Sequence, residues 1–456
     1  MTTESIQTSS KRLGIQYYPD VLHYTLQDLQ YWLPRLSAIG AHWLILRAPL
    51  EHTIPEYFLE GLIKAGIEPV ITLNYPPEWV SDVATVQLLL KAYANWGIHY
   101  ISFFDRPNIR TNWPPATWAQ QNLVERFLDV FLPLANNAID TGLPPVFPAL
   151  EPGGDYWDTA FLRAGLGSIL RRGQNQLIDH LALGAYAWLD DRPLNWGAGG
   201  PERWPGALPY RTQPGHEDQI GFRIFDWYLA ISQAVLKRKL PVLLLGAGPR
   251  LTTPYESPER EVDELAHAHK AVQIARLLAA SDANVPFELE GRQVEAIPPE
   301  VLVCTYSLLA AAQDSPLVGQ AWFQPQGHTL PAVDALAQFT NRHNPIELHP
   351  EGDPKPPVNA GDDNFQHFPI AHYLLLPRQE WGITEWHLDM ARPYILKYHP
   401  TIGFSPAEAA HAAHVLVIGD EGAYPEEIMA HLRHSGCYVE CISGDGTVIA
   451  TELANR

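Results

Sequence analysis

The stretch YISFFDRPN, Tyr100 to Asn108, decides how the chain is read. A short apolar and aromatic run turns to charge at Asp105 and Arg106, then stops at Pro107. Such a run predicts a buried parallel strand whose C-terminal end opens onto a site. Upstream, LGIQYY (Leu13–Tyr18), AHWLILR (Ala41–Arg47) and EPVITLN (Glu68–Asn74) predict three earlier strands. Helical patterns over Leu26–Ile39, Pro55–Ala65 and Ser81–Trp96 separate them. Short strands alternating with longer helices predict a parallel sheet with helical crossovers. Junctions such as AIGAHWLIL and KAGIEPVIT place Gly at the helix end, where a left-handed cap is needed.

Downstream, strands are predicted at Pro145–Leu150, Leu181–Trp188 and Leu240–Leu245, the last breaking at Gly246. A helix is predicted over Glu259–Ala280. The ambiguous segment Pro299–Ala312 is read as helical, with the eighth strand at Val318–Phe323 (VGQAWF). Eight strands predict an α/β chain whose residues 1–340 form a (β/α)8 TIM barrel, although an open doubly wound sheet shares the periodicity. Residues 341–365 are rich in Pro, Gly, Asn and Asp and read as a linker. Residues 366–456 alternate strand and helix again and predict a small Rossmann-like α/β domain.

Composition narrows the partners. The net charge of −20 disfavours nucleic acid and anionic membranes, which need basic patches. The 14 Trp suit stacking on sugar rings as well as core packing. Three cysteines, Cys304, Cys437 and Cys441, make neither a disulfide framework nor a metal cluster and are expected to be buried thiols. His267 and His269 lie two apart on a predicted helix, and His411 and His414 lack a carboxylate companion, so no metal and no cofactor is expected. MTTESIQTSSKRLG has no apolar core of a leader, and no run of eighteen apolar residues occurs. A cytoplasmic protein without membrane insertion is the expectation.

The strand ends carry a resemblance. Phe104-Asp105-Arg106-Pro107 is similar to the Trp-Asn-Glu-Pro motif of the (β/α)8 glycoside hydrolases, with Arg106 at the position of the acid/base glutamate. Pro241-Val242-Leu243-Leu244-Leu245-Gly246-Ala247-Gly248 resembles their seventh-strand Pro-Val-x-x-x-Glu-x-Gly, with Gly246 at the position of the nucleophile. Ala321-Trp322-Phe323 resembles the aromatic strand end that floors their sugar subsite. The resemblance implies a carbohydrate-binding barrel mouth that lacks both catalytic glutamates, since an arginine stays charged and cannot act as a general acid. In the C-terminal part, Val415–Gly419, Gly436, Ile442-Ser443-Gly444-Asp445 and Thr451 resemble one unit of the bacterial cell-wall-binding repeat of type two. That likeness implies a cell-wall polymer as a second partner; a generic Rossmann-like half is the alternative.

The candidate ligand-binding residues are therefore Arg47, Asn74, Asp105, Arg106, Asn108, Tyr186, Trp188, Trp196 and Trp322, facing an oligosaccharide or polysaccharide. Trp196 lies in the long loop after the sixth strand, which suits a lid or wall. Should hydrolysis persist, Glu151 with Asp155 or Asp190 would have to supply the carboxylate couple, about 5 Å apart for retention or roughly 6.5–9.5 Å for inversion. Glu151 is read rather as an ion-pair partner for Arg106 or Arg47, and Asp155 as a helix cap. A scaffold with no cleft ligand remains the third reading.

Overall fold

The protein is described by a computed structural model covering residues 10–77, 83–251, 263–325, 327–341, 368, 370–377, 385–398, 400–419, 424–444, 446–454 and 456. Eight strands close into one parallel barrel: β1 (Leu13–Gln16), β2 (Trp43–Arg47), β3 (Glu68–Thr72), β4 (Tyr100–Ser102), β5 (Pro145–Phe147), β6 (Ala182–Trp188), β7 (Val242–Gly248) and β8 (Val301–Tyr306). Each pairs with its sequence neighbours, and β1 meets β8 at Leu13↔Cys304, Gly14↔Thr305 and Ile15↔Tyr306, which closes the ring. Inward-pointing Ile45, Val70, Val146, Leu243, Leu245 and Val303 fill the interior, so the barrel is a packed core that opens only at its mouth.

The helices form for local reasons. Thr25 and Asp28 make a reciprocal capping box at the start of the helix Leu26–Ala38. The helix Leu123–Asp140 buries Val124, Phe127, Leu128, Phe131, Leu134, Ala135 and Ala138, a stripe at three- and four-residue spacing. Phe127 and Phe131 meet Phe104 and Phe147 there, so the ends of β4 and β5 sit on one aromatic cluster. Gly40 and Gly66 end the first two crossover helices at φ +71° and +78°, the left-handed caps that the junctions predict.

The eighth strand is not where the sequence pattern places it. Pro299–Ala312 is not helical: Val301–Tyr306 is β8, buried along nearly its whole length. Val318–Gln320 is a single 3-10 turn, and Trp322 follows it into the core at 1 % exposure. A continuous apolar run carries no period that separates strand from helix. The β-branched Val301, Val303 and Thr305 favour the strand, and pairing with both β7 and β1 supplies the backbone partners that fix it.

The small domain is a four-stranded parallel sheet of β9 (Ile370–Leu375), β10 (Thr401–Gly403), β11 (Ala412–Ile418) and β12 (Tyr438–Ile442), in the order β10-β9-β11-β12. Its edge strand β10 is covered by the loop after β2. The Thr53 amide donates to the Ile402 carbonyl at 3.2 Å, and His52 Nε2 lies 3.0 Å from Glu408 Oε2. Covering a strand edge this way removes a site of unwanted pairing. The predicted linker falls almost wholly on residues 342–367, outside the described residues. His411 is in a turn and His414 on β11, so they share no helical face.

Candidate functional site

The strand ends deliver an arginine to the centre of the mouth. Arg106 takes a left-handed backbone, φ +44°, and its amide donates to the Ala149 carbonyl at 2.9 Å, which ties the end of β4 to β5. Nε and Nη2 both donate to Asp105 Oδ2 at 2.9 Å, and Nη1 reaches Glu151 Oε2 at 3.5 Å. Burial works against the guanidinium charge, but Asp105 and Glu151 outweigh it and push its pKa further up. Asp105 is held from its other side: Tyr186 donates its hydroxyl proton to Oδ1 at 2.7 Å. Burial, with Asp105 next, keeps that phenol protonated.

Tyr186 and Trp188 are two apart on β6, so they share one face and both point into the mouth. Their rings stack with centroids 5.4 Å apart and planes 12° apart. Arg106 lies over Tyr186 at 5.7 Å, and Arg250, which follows β7, over Trp188 at 4.8 Å. The result is a column of cation, ring, ring and cation across the barrel mouth. Asp190 anchors its far end, accepting from Arg250 at 3.0–3.2 Å.

The column also explains Gly246. This residue does not break the strand; β7 runs on to Gly248. A Cβ at Gly246 would lie 2.5 Å from Trp188 Cη2 and 2.9 Å from Gln16 Nε2. The edge of the Trp188 indole thus fills the space into which any side chain at 246 would project.

Two cavities flank the column. The larger, about 830 Å³, lies on the Arg250 side and includes Arg106, Glu151, Tyr186, Trp188 and Asp190 in its walls. The smaller, about 180 Å³, includes Arg47, Asn74, Asp105, Arg106 and Tyr186. Six of the candidate binding residues drawn from sequence therefore surround one divided mouth, with Glu151 and Asp190.

The others do different work. Asn108 is fully buried and staples two loops: Nδ2 donates to the Glu151 and Tyr156 carbonyls at 2.9 and 3.0 Å, and Oδ1 accepts from the Glu151 amide at 2.8 Å. Asp155 accepts from the Arg110 amide at 2.8 Å, rather than capping the helix Asp158–Arg171. Trp196 donates to Asp218 Oδ1 at 3.0 Å and lies under Arg192, pinned to its own loop. Trp322 packs between Tyr306 and His267, beneath the mouth rather than in it. Cys304 and Cys437 are buried, but Cys441 is exposed. No group of three metal-ligating side chains occurs among the described residues, and no described helix is long and apolar enough to cross a membrane.

Several wall residues of the larger cavity escaped the sequence reading: Gln16, Arg250, His267, Lys270, Ser307 and Gln320. Gln16 had a signal, a polar residue inside an otherwise apolar strand. Asp263, Ala266, His267 and Lys270 had another, since their spacing puts them on one face of the helix Glu264–Asp282.

No protein-family model matches the chain, and no curated protein matches it. Among solved structures it is similar to a family 39 glycoside hydrolase from the gut symbiont Bacteroides cellulosilyticus, at 13 % identity and TM-score 0.42, over 73 % of this chain and 64 % of that one. The chain thus spans under two thirds of that relative's length. It is also similar to a monomeric β-xylosidase from Caulobacter crescentus (12 %, TM-score 0.41, 72 % and 68 %) and to an endo-β-1,4-glucanase from Xanthomonas axonopodis (13 %, TM-score 0.38, 73 % and 99 %). What the strand pairing itself establishes is an α/β protein: a closed (β/α)8 barrel followed by a small parallel-sheet domain.

Proposed function

We propose that the barrel mouth binds carbohydrate without cleaving it by the usual pair of carboxylic acids. The observation that carries this reading is the Arg106–Tyr186–Trp188–Arg250 column. It sets an aromatic wall beside a cavity of about 830 Å³, within the range of ligand sites. It also fills both places where the resembled hydrolases carry glutamate, with a guanidinium at 106 and the Trp188 indole over 246. A hydrolase needs one carboxyl that gives a proton and one that attacks or activates water. Asp105 and Glu151 are both held by Arg106 and Asp190 by Arg250, so each of these acids already faces a fixed cation.

The test is a titration of the intact protein with oligosaccharides, followed by tryptophan fluorescence and paired with product analysis. Quenching without new reducing ends is expected. A flat response across a broad glycan panel would reject binding, and turnover would reject the non-hydrolytic reading.

By its own resemblance, the small domain is proposed to hold a cell-wall polymer. The support is the strand–turn–helix run from β12 through Ile442-Ser443-Gly444 into the helix Gly446–Ala454. Co-sedimentation of the intact protein with purified bacterial cell walls is expected, and failure to sediment would remove the idea.

A further inference from the structure

We propose that the saccharide bound in the larger cavity carries an anionic group, which Lys270 receives together with Arg250, Ser307 and Gln320. The inference rests on the carbohydrate reading above and names the class of sugar. The wall opposite the aromatic column is the first two turns of the helix Glu264–Asp282, presenting Ala266, His267 and Lys270. Lys270 Nζ donates to the main-chain carbonyl of Asp190 at 2.7 Å, and among the described residues no carboxylate lies within ion-pair distance of it. Among the described residues its charge meets one carbonyl dipole, and two N–H groups remain unspent.

The other cations of the cavity are not in this state. Arg106 is matched by Asp105 and Glu151. Arg250 spends Nε and Nη2 on Asp190, leaving Nη1 without a hydrogen bond among the described residues. Neither remaining acid of the wall pairs with Lys270 among the described residues: Asp263 accepts the Ala266 amide at the helix start, and Asp191 lies exposed at the rim. His267 is neutral at ordinary pH, because burial pushes its pKa down to about 4. It therefore adds no second positive charge.

Neutral donors complete the wall. Ser307 directly follows β8, and the neighbouring Tyr306 donates its hydroxyl to the Ala271 carbonyl at 2.5 Å. That bond holds the end of β8 against the helix turn that carries Lys270. Gln320 enters from the loop that leads to Trp322, whose amide bonds to the Leu308 carbonyl. An ammonium, a guanidinium N–H, a hydroxyl and an amide at the loops after the seventh and eighth strands suit a carboxylate, sulfate or phosphate, and anions commonly bind at this end of such barrels.

The experiment is calorimetry on the intact protein with matched probes. Tetragalacturonate is compared with its methyl ester, and a sulfated galactan tetrasaccharide with its desulfated form, alongside an array of paired acidic and neutral glycans. At least one acidic member is expected to bind about ten-fold tighter than its neutral twin at low salt, a gap that narrows as salt rises. The pair showing the larger gap decides between carboxylate and sulfate, and competition by inorganic phosphate reports a phosphate-sized site. Lys270→Met is expected to bring the ratio close to one, and Lys270→Arg to keep it, with circular dichroism confirming that both variants fold. Equal or tighter binding of the neutral twins overturns the inference and leaves the carbohydrate reading standing. No binding to any glycan overturns both.

Discussion

Replacing Gly246 by alanine tests whether the Trp188 indole holds the position where a nucleophile would project. The new Cβ would sit 2.5 Å from Trp188 Cη2, about 1 Å inside ordinary contact distance. The indole cannot turn away freely, because Tyr186 stacks on it and Arg250 lies over it. Moving it forfeits a ring stack of about 0.5–1.5 kcal/mol and a cation–π contact of about 0.5–1 kcal/mol. Holding it in place instead strains the strand by about 1–3 kcal/mol. Gly246→Ala should therefore cost about 1–3 kcal/mol. In a Trp188→Ala background the indole is gone and only the Gln16 contact remains, so the same change should cost at least about 1 kcal/mol less. The contact with Gln16 is present in both backgrounds and cancels in the cycle. Urea unfolding followed by far-UV circular dichroism, with unchanged m-values, gives the four free energies. Additivity within about 0.5 kcal/mol would refute the reasoning, because it would mean that the two side chains do not compete for one space.

Three further outcomes follow from the same geometry. On the proposed non-hydrolytic reading, Arg106→Glu should not hydrolyse aryl glycosides, because Trp188 still covers the position beside Gly246 where a second carboxyl would project; measurable turnover would contradict this. Asn108→Ala should destabilise by roughly 2–4 kcal/mol through the lost staple and the polar groups of residues 151 and 156 that it leaves unpaired, which thermal or urea unfolding would show. Asp158 is buried below the Glu151 turn, where it accepts the Gly153 amide and the Gln219 side chain, and burial pushes its carboxyl up from 3.8 to about 6. The folded state holds that proton more tightly than the unfolded chain does, so the stability it contributes is complete below about pH 4 and lost as pH rises through about 6. The difference of roughly two pKa units is worth ~3 kcal/mol. Asp158→Asn should flatten the decline and be the more stable form at pH 7, because its amide stays neutral beside the buried Tyr228 hydroxyl; a decline equal to that of the parent protein would exclude Asp158 as its source.

Local sequence signals locate most of the barrel because the first crossover units repeat the same punctuation, a helix, a glycine and a short apolar strand, with Gly40, Gly66, Gly97 and Gly142 at the junctions. Several strands end where an apolar run turns polar or charged, and such ends carry Arg106, Glu151 and Asp190. The eighth strand was missed because VLVCTY is apolar without a period, and only its pairing on both sides makes it a strand. The same miss put Trp322 at the mouth, whereas the fold buries it behind Tyr306.

What the sequence by itself determined is that an arginine and a glycine stand at the ends of the fourth and seventh strands, because residue identity at a strand end requires no knowledge of packing. Only the tertiary structure decided what those two residues do. Arg106 and Arg250 come from different strand ends, and they meet the two rings of β6 because β4 to β7 are consecutive strands of one curved sheet. Lys270 faces the same cavity because a helix far along the chain packs against the end of β8, a juxtaposition that depends on long-range contacts rather than on local pattern.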